Sequence, residues 1–298
     1  MKKINIATRE SELAFRQAKH VKRLLELSHD GLKCEIVGIT TKGDRDKSSP
    51  LSQMGGKGVF VKELEMALLD GTADIAVHSM KDVPMGLPKG LAITGICERA
   101  NPRDAFVANH FHSLDELPKG SIVGSSSLRR VLQIKAAYPD LVFKDIRGNV
   151  DTRLRKLDEG SYDAIILAVA GLTRLGLADR ITAEIETEVC LPAAGQGAVG
   201  IEARIGEGDT RSLISLINHK PTWIQVNAER IVTASLGASC NVPIGVFADL
   251  SGSSIKLSAF VANNEGSLVI REAISGNSAE FENLASRLGD LLLKRGAA

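Results

Sequence analysis

The chain has 298 residues, 44% hydrophobic and 24% charged, the ordinary mixture of a globular protein of two or three domains. With 37 basic against 36 acidic side chains, no global field favours nucleic acid or a membrane surface, and 4% aromatics offer little for base stacking. Cys34, Cys97, Cys190 and Cys240 are scattered and form no CxxC, which argues against a metal or disulfide scaffold and for free thiols in a reducing compartment.

The opening "MKKINIATRESELA" has two lysines but no continuous apolar run, and nowhere does the chain approach the roughly 18 apolar residues of a membrane span. A cytoplasmic location is the expectation. "INIA" (4–7) predicts a strand, followed by a helix from about Ser11 with Leu13, Ala14, Ala18, Val21, Leu24 and Leu25 at helical spacing. "KCEIVGI" (33–39) predicts a second strand, with Cys34 and Ile36 on one face. Residues 40–58 form a long polar, Gly-rich loop, and 59–71 predict a helix stopped by Gly71. Strands at 73–78 and 91–97 complete a β-α-β-α-β alternation and imply a mostly parallel sheet.

After a polar link at 98–104 the pattern repeats. "SIVG" leads into "SSSLRRVLQIKAAY", "LVFKDI" into "VDTRLRKLDEG", and "YDAIILAVA" follows. A strand at 197–203 is placed to return to the first unit. Beyond Pro221 the texture becomes α+β: a helix at 222–236, β-like runs at 244–250, 254–261 and 267–274, and a last helix from 278 to 295. The expected class is α/β, with two mainly parallel units and a small α+β C-terminal domain. The boundaries are 1–98 with 198–217, then 103–192, then 221–298.

Arginines gather at the ends of predicted strands: Arg9, Arg129, Arg130, Arg147, Arg153 and Arg174. In an open parallel sheet these ends hold ligands, helix N-termini there favour anions, and guanidinium forks match carboxylate or phosphate. Any one of them is an ordinary surface arginine; six at equivalent places point to a polyanion. In "VHSMKDVP" (77–84), Asp82 at a strand end reads equally as a general acid/base, with Lys81 favouring its ionised form, or as a simple turn residue. Gly55, Gly56 and Gly58 around Lys57 lack the GK[ST] of a phosphate loop, so a flexible loop is the better reading. His110 and His112 have no partner at metal-ligand spacing, and no metal is expected.

"RESELAFRQA" (9–18), "KGVFVKELEMALLDGTADIAVHSMKDVP" (57–84), "NPRDAFV" (101–107), "GSSSLRRVLQI" (124–134), "DIRGNVDTRLRKL" (145–157), "LPAAGQGAVGIE" (191–202) and "AERIVTASLGASCNVPIG" (228–245) together resemble the porphobilinogen deaminase (hydroxymethylbilane synthase) family across essentially the whole chain. The resemblance implies two periplasmic-binding-protein-like α/β domains plus the small third domain. It also implies a transferase of porphyrin and haem-type biosynthesis that joins four porphobilinogen molecules head to tail, releasing ammonia at each addition. The cofactor would be a dipyrromethane held by a thioether to Cys240. Arg9, Ser11, Lys81, Ser127, Arg129, Arg130, Arg147, Arg153 and Arg174 would hold pyrrole acetates and propionates. Asp82 would be the catalytic carboxylate that stabilises the cation left by ammonia loss. Lys57 and Phe60 would belong to a mobile loop, with residues 40–58 as a lid. A monomer without nucleic-acid or membrane partners is implied as well.

"ASC" departs from the family's commoner Gly-Gly-Cys or Gly-Ser-Cys, with Ala238 in a glycine's place. Cys240 follows the C-terminal, negative end of the predicted helix 222–236, a poor place for a thiolate. A cysteine alkylated once and never released has no such need. The α/β architecture alone also suits a non-catalytic solute-binding module, which would carry no covalent adduct.

Overall fold

The computed structural model describes residues 3–45, 58–237 and 242–297. The chain begins with β1 (Lys3–Arg9), α1 (Glu12–Ser28), β2 (Lys33–Ile39), α2 (Lys42–Arg45), α3 (Lys62–Leu69), β3 (Ile75–Ser79) and β4 (Leu91–Ile96). It continues through β5 (Asp104–Ala108), β6 (Ile122–Gly124), α4 (Leu128–Ala137), β7 (Val142–Lys144), α5 (Val150–Asp158), β8 (Ala164–Ala168), α6 (Val169–Arg174) and β9 (Ala183–Ile185). Then come β10 (Val199–Arg204), α7 (Gly208–Ser215), α8 (Lys220–Ser235), β11 (Ile244–Ser251), β12 (Ser254–Ala262), β13 (Val269–Asn277) and α9 (Phe281–Lys294).

Met1–Ala100 and Ala198–Ile224 make one compact unit. Its sheet has the order β2-β1-β3-β10-β4 among the described residues. Strand β1 runs parallel to β2 and β3, whereas β10 is antiparallel to β3 and β4, so β10 alone opposes the others. Both faces are covered, which is why the strands read as near-continuous apolar runs. Ala18, Val21 and Leu25 of α1 pack on Ile4, Ile6, Ile75 and Val77. On the other face Leu64 and Leu68 of α3 meet Ala7 and Ala76. Ser11 caps α1, its hydroxyl accepting from Ala14 N–H.

Asn101–Gly197 and Gln225–Ala298 make the second unit, which holds two sheets. The larger has the order β7-β6-β8-β5-β9, with β6 parallel to β7 and β8, and β5 antiparallel to β8 and β9. The smaller is the antiparallel meander β11-β12-β13, whose partner α9 buries Leu284, Leu288 and Leu292 at helical spacing. Segment 188–192 joins the two: Pro192 C=O accepts from Val246 N–H, and Arg271 donates to Glu188 and Val189 C=O.

The helix expected over 59–71 starts only at Lys62. Residues 58–60 form a turn in which Gly58 takes a left-handed φ of +85°, open to glycine at no steric cost. The polar link at 98–104 runs directly into β5, and β9, α6 and α7 add elements that no clear periodicity marks. Within the expected loop 40–58, residues 42–45 form α2; 46–57 lie outside the described residues.

Candidate active site

β1 and β3 lie side by side in parallel register, Ile6 opposite Ile75 and Ala7 opposite Ala76. Their carboxyl ends therefore open at one place, the usual ligand end of such a sheet. β1 ends at Arg9 and turns into Ser11 at the α1 N-terminus, while β3 passes into a 3₁₀ turn, Met80–Asp82. Arg9, Ser11, Gln17, Phe60, Ser79 and Asp82 line one small cavity. Gln17 and Ser79 are hydrogen-bonded to each other across it, with Gln17 Nε2 2.8 Å from Ser79 Oγ. Arg9 donates to Asp44 and lies over the Phe60 ring, 4.1 Å from its centroid. Lys81 is the exposed residue of that turn. Lys57 lies outside the described residues.

Ser127 precedes α4, and the first turn of that helix buries Arg129 and Arg130. Both converge on Asp104 of β5, which has no solvent exposure. Arg129 Nη1 lies 2.8 Å from Asp104 Oδ2, Arg130 Nη2 lies 2.7 Å from Oδ1, and Gln196 Nε2 donates to Oδ1 at 2.9 Å. Burial alone would raise this carboxyl's pKa, but the two guanidiniums overcome it and hold it well below the ordinary carboxylate range. Part of each arginine's donor set is thereby used within the protein: Arg129 also reaches Leu191 C=O and Arg130 reaches Ile166 C=O. Cys190 lies against the same cluster, its thiol pushed up to about 12 chiefly by burial.

Arg147 and Arg153 flank the N-terminus of α5. Arg153 Nε donates to Gly148 C=O, and its pKa is brought down to about 10 by burial first, then by the positive charges of Arg130 and Arg147. Like charges held together in a partly buried place favour an anion beside them. Arg174 of α6 donates to Gly197 C=O at 2.7 Å. The structure thus gathers Arg9, Ser11, Phe60 and Asp82 in the first unit. In the second it gathers Arg130, Arg147 and Arg153, with Arg129 tied to Arg130 through Asp104. A dipyrromethane bearing several carboxylates fits this donor set of guanidiniums and hydroxyls, because the Arg130, Arg147 and Arg153 charges outnumber the nearby acids Asp104 and Asp145.

Two features were not anticipated from the sequence. Asp104 sits in the quoted "NPRDAFV", and an acidic residue opening an apolar run is the signal that marks it. The other is a buried group that reaches the cavity wall at His78: this residue of β3 pairs with Glu202 of β10 at 2.9 Å, and Glu65 of α3 is buried nearby. Glu65 has a raised pKa, from burial first and from the Glu202 charge second. His78 closes the strand expected at 73–78, but its partners come from 124 residues downstream and from a separate helix.

Cys240 lies outside the described residues. The helix before it, α8, ends at Ser235, and Gly237 takes φ +60° just beyond, as a helix C-terminus commonly does. Within α8, buried Glu229 accepts from Gly195 N–H and Ala248 N–H, fixing the helix to β11. Among the described residues no group of three or more His, Cys, Asp or Glu side chains is arranged to hold a metal ion.

Among solved structures, the chain is similar to the methionine binding protein MetQ, at 15% identity and a TM-score of 0.47, over 74% of this chain and 92% of that one. A nutrient binding protein from Burkholderia cenocepacia bound to methionine matches at 12% identity and a TM-score of 0.46, over 74% and 93%. The VFT2 domain of Bordetella pertussis BvgS matches at 16% and 0.42, over 72% and 86%. The chain is a mixed α/β protein with two five-stranded sheets and a small C-terminal antiparallel sheet among the described residues. Residues 4–212 match the family model "Porphobilinogen deaminase, dipyromethane cofactor binding domain", and residues 223–294 match "Porphobilinogen deaminase, C-terminal domain". With both models matched in order over nearly all its length, the chain belongs to the porphobilinogen deaminase family.

Proposed function

We propose how the residues of this chain divide the work of the family's reaction, the joining of four porphobilinogen molecules into hydroxymethylbilane with loss of ammonia at each addition. The observation that carries the reading is the convergence of Arg9, Ser11 and Asp82 on one cavity at the carboxyl ends of β1 and β3. Bound dipyrromethane supplies the terminal pyrrole carbon to which substrate is joined. Cys240 anchors it through a thioether, and Arg9, Ser11, Lys81, Ser127, Arg129, Arg130, Arg147, Arg153 and Arg174 hold the pyrrole carboxylates. Each addition brings two more negative charges, so fixed guanidiniums are needed even though the chain is nearly neutral overall.

Asp82 holds its carboxylate toward the pyrrole nitrogen of the substrate, where positive charge develops as ammonia leaves, and takes part in the proton transfers that follow. Phe60 closes the apolar side of the cavity, and Lys57 acts from the loop preceding it. The three-part organisation 1–98 with 198–217, 103–192 and 221–298 follows the same reading, with the last part carrying the cofactor. We also assign a monomer working in the cytoplasm. Among the described residues no helix is long and apolar enough to cross a membrane.

Intact mass tests the anchor. The purified chain should be heavier than its sequence by two linked pyrrole units, and Cys240→Ser should lack that increment. In denaturant the native chain should titrate as three thiols, whereas its sequence contains four. A full set of free thiols in an active preparation would refute the anchor.

A further inference from the structure

Arg9 and Asp82 line the same cavity, and the Arg9 guanidinium is fixed on two sides. Nε donates to Asp44 Oδ2 at 3.1 Å and Nη2 to Oδ1, so one edge of the fork is filled by an internal carboxylate. The Phe60 ring covers a face of the guanidinium at 4.1 Å. Asp44 is held in turn: Thr41 Oγ1, in a fully buried residue, lies 2.7 Å from Asp44 Oδ2, and Asp44 N–H reaches Thr41 C=O at 3.0 Å. The short helix α2 that carries Asp44 is itself pinned, with Gly43 N–H donating to Val59 C=O and Lys42 N–H to Glu63 Oε1.

We propose that Asp44 is a positioning residue for carboxylate recognition: it locks the Nε–Nη2 edge of Arg9 and leaves Nη1 to meet a pyrrole side-chain carboxylate. This rests on the reading of Arg9 as a carboxylate ligand. A free arginine offers the same donors, but its side-chain freedom is lost on binding. Prior fixing by Asp44, Thr41 and Phe60 removes that loss from the binding step. Burial opposes the charge on Asp44, but the hydrogen bonds from Arg9 and Thr41 prevail and hold its pKa below the ordinary value. The pair is consequently near neutral, and Arg9 selects by the direction of its N–H groups more than by net charge. A chemically similar substrate with its acetate displaced would meet a donor that cannot follow it.

The test is a double-mutant cycle on the cofactor-carrying enzyme, with the KM for porphobilinogen, kcat and the cofactor-loaded fraction by intact mass as readouts. Asp44→Asn should raise KM about 10-fold, the scale of one charged hydrogen bond, with a smaller change in kcat. Asp44→Glu should restore part of it. Arg9→Lys should raise KM as well, and Arg9→Lys with Asp44→Asn should be no worse than Arg9→Lys alone, because Asp44 acts through Arg9. An unchanged or lowered KM in Asp44→Asn, with Arg9→Lys impaired, overturns the positioning role and leaves Arg9 as a carboxylate ligand. A normal Arg9→Lys enzyme overturns both. Should Asp44→Asn fail to fold, Thr41→Val, which removes only the hydroxyl that aims Asp44, must raise KM in the same direction or the proposal falls.

Discussion

Gly200 of β10 and Met80 of the 3₁₀ turn Met80–Asp82 leave no room between them: a Cβ placed on Gly200 would lie 2.0 Å from Met80 Sδ and 3.1 Å from its Cγ. Met80 is fully buried and also donates its N–H to Ala198 C=O. The turn that ends in Asp82 is therefore seated directly on bare backbone of the neighbouring strand.

Gly200→Ala should displace that seat. Overpacking at such a site costs about 1–3 kcal/mol, and here the shift would be passed two residues along to Asp82. Urea unfolding should show the loss of stability, and kcat should fall more than KM rises. Native turnover in a destabilised Gly200→Ala chain would separate the seat from the chemistry.

Asp82→Asn keeps the size of the side chain and removes its charge and basicity. Turnover should drop about 10²–10⁴-fold, the usual contribution of a positioned acid or base, while porphobilinogen binding changes little. Single-turnover ammonia release is the direct measurement. A loss confined to KM would assign Asp82 to binding instead.

Asp104→Ala would leave Arg129 and Arg130 buried without their shared counter-charge. Breaking a buried pair in this way costs about 3–5 kcal/mol, so the variant should unfold at markedly lower urea concentration. The carboxyl's depressed pKa gives a sign as well. Its stabilising contribution is full above the unfolded carboxylate range and is lost as pH falls toward the folded value. Acid sensitivity in the wild type should thus be weaker in the variant.

Glu65 behaves in the opposite sense. Its folded pKa lies above the ordinary value of 4.5, so the fold favours the protonated carboxyl. Stability is full below that ordinary value and is lost as pH rises through the folded one. Glu65→Gln imitates the protonated form and should be more stable than wild type at about pH 8 but scarcely different at about pH 4. Urea midpoints that shift in parallel at both pH values would remove Glu65 from the account.

β1, α1 and β2 were legible because each combines a clear period with a clear boundary: Ser11 caps α1 where its apolar stripe begins, and β2 occupies 33–39 as its apolar content suggests. β5 was not, because it opens with Asp104, a residue that belongs in a strand only once two arginines from 25 and 26 residues later cover its charge. The cationic character of the strand ends was also readable. What each cation touches was not: the Arg9–Asp44 edge depends on a one-turn helix inside a stretch that reads as loop. The Glu65, His78 and Glu202 group depends on β10, far downstream in sequence.

The insertion of β10 between β3 and β4 bears on how the chain is made. Strands β3 and β4 do not bond to each other; their shared neighbour is encoded after residue 197. As the protein emerges from the ribosome, the first sheet must wait with two exposed edges while the strands of the second, within residues 101–197, are synthesised and can pair. The N-terminal sheet is begun first yet completed only after every strand of the second five-stranded sheet has been made, and the floor beneath Asp82 is among its last pieces to be delivered.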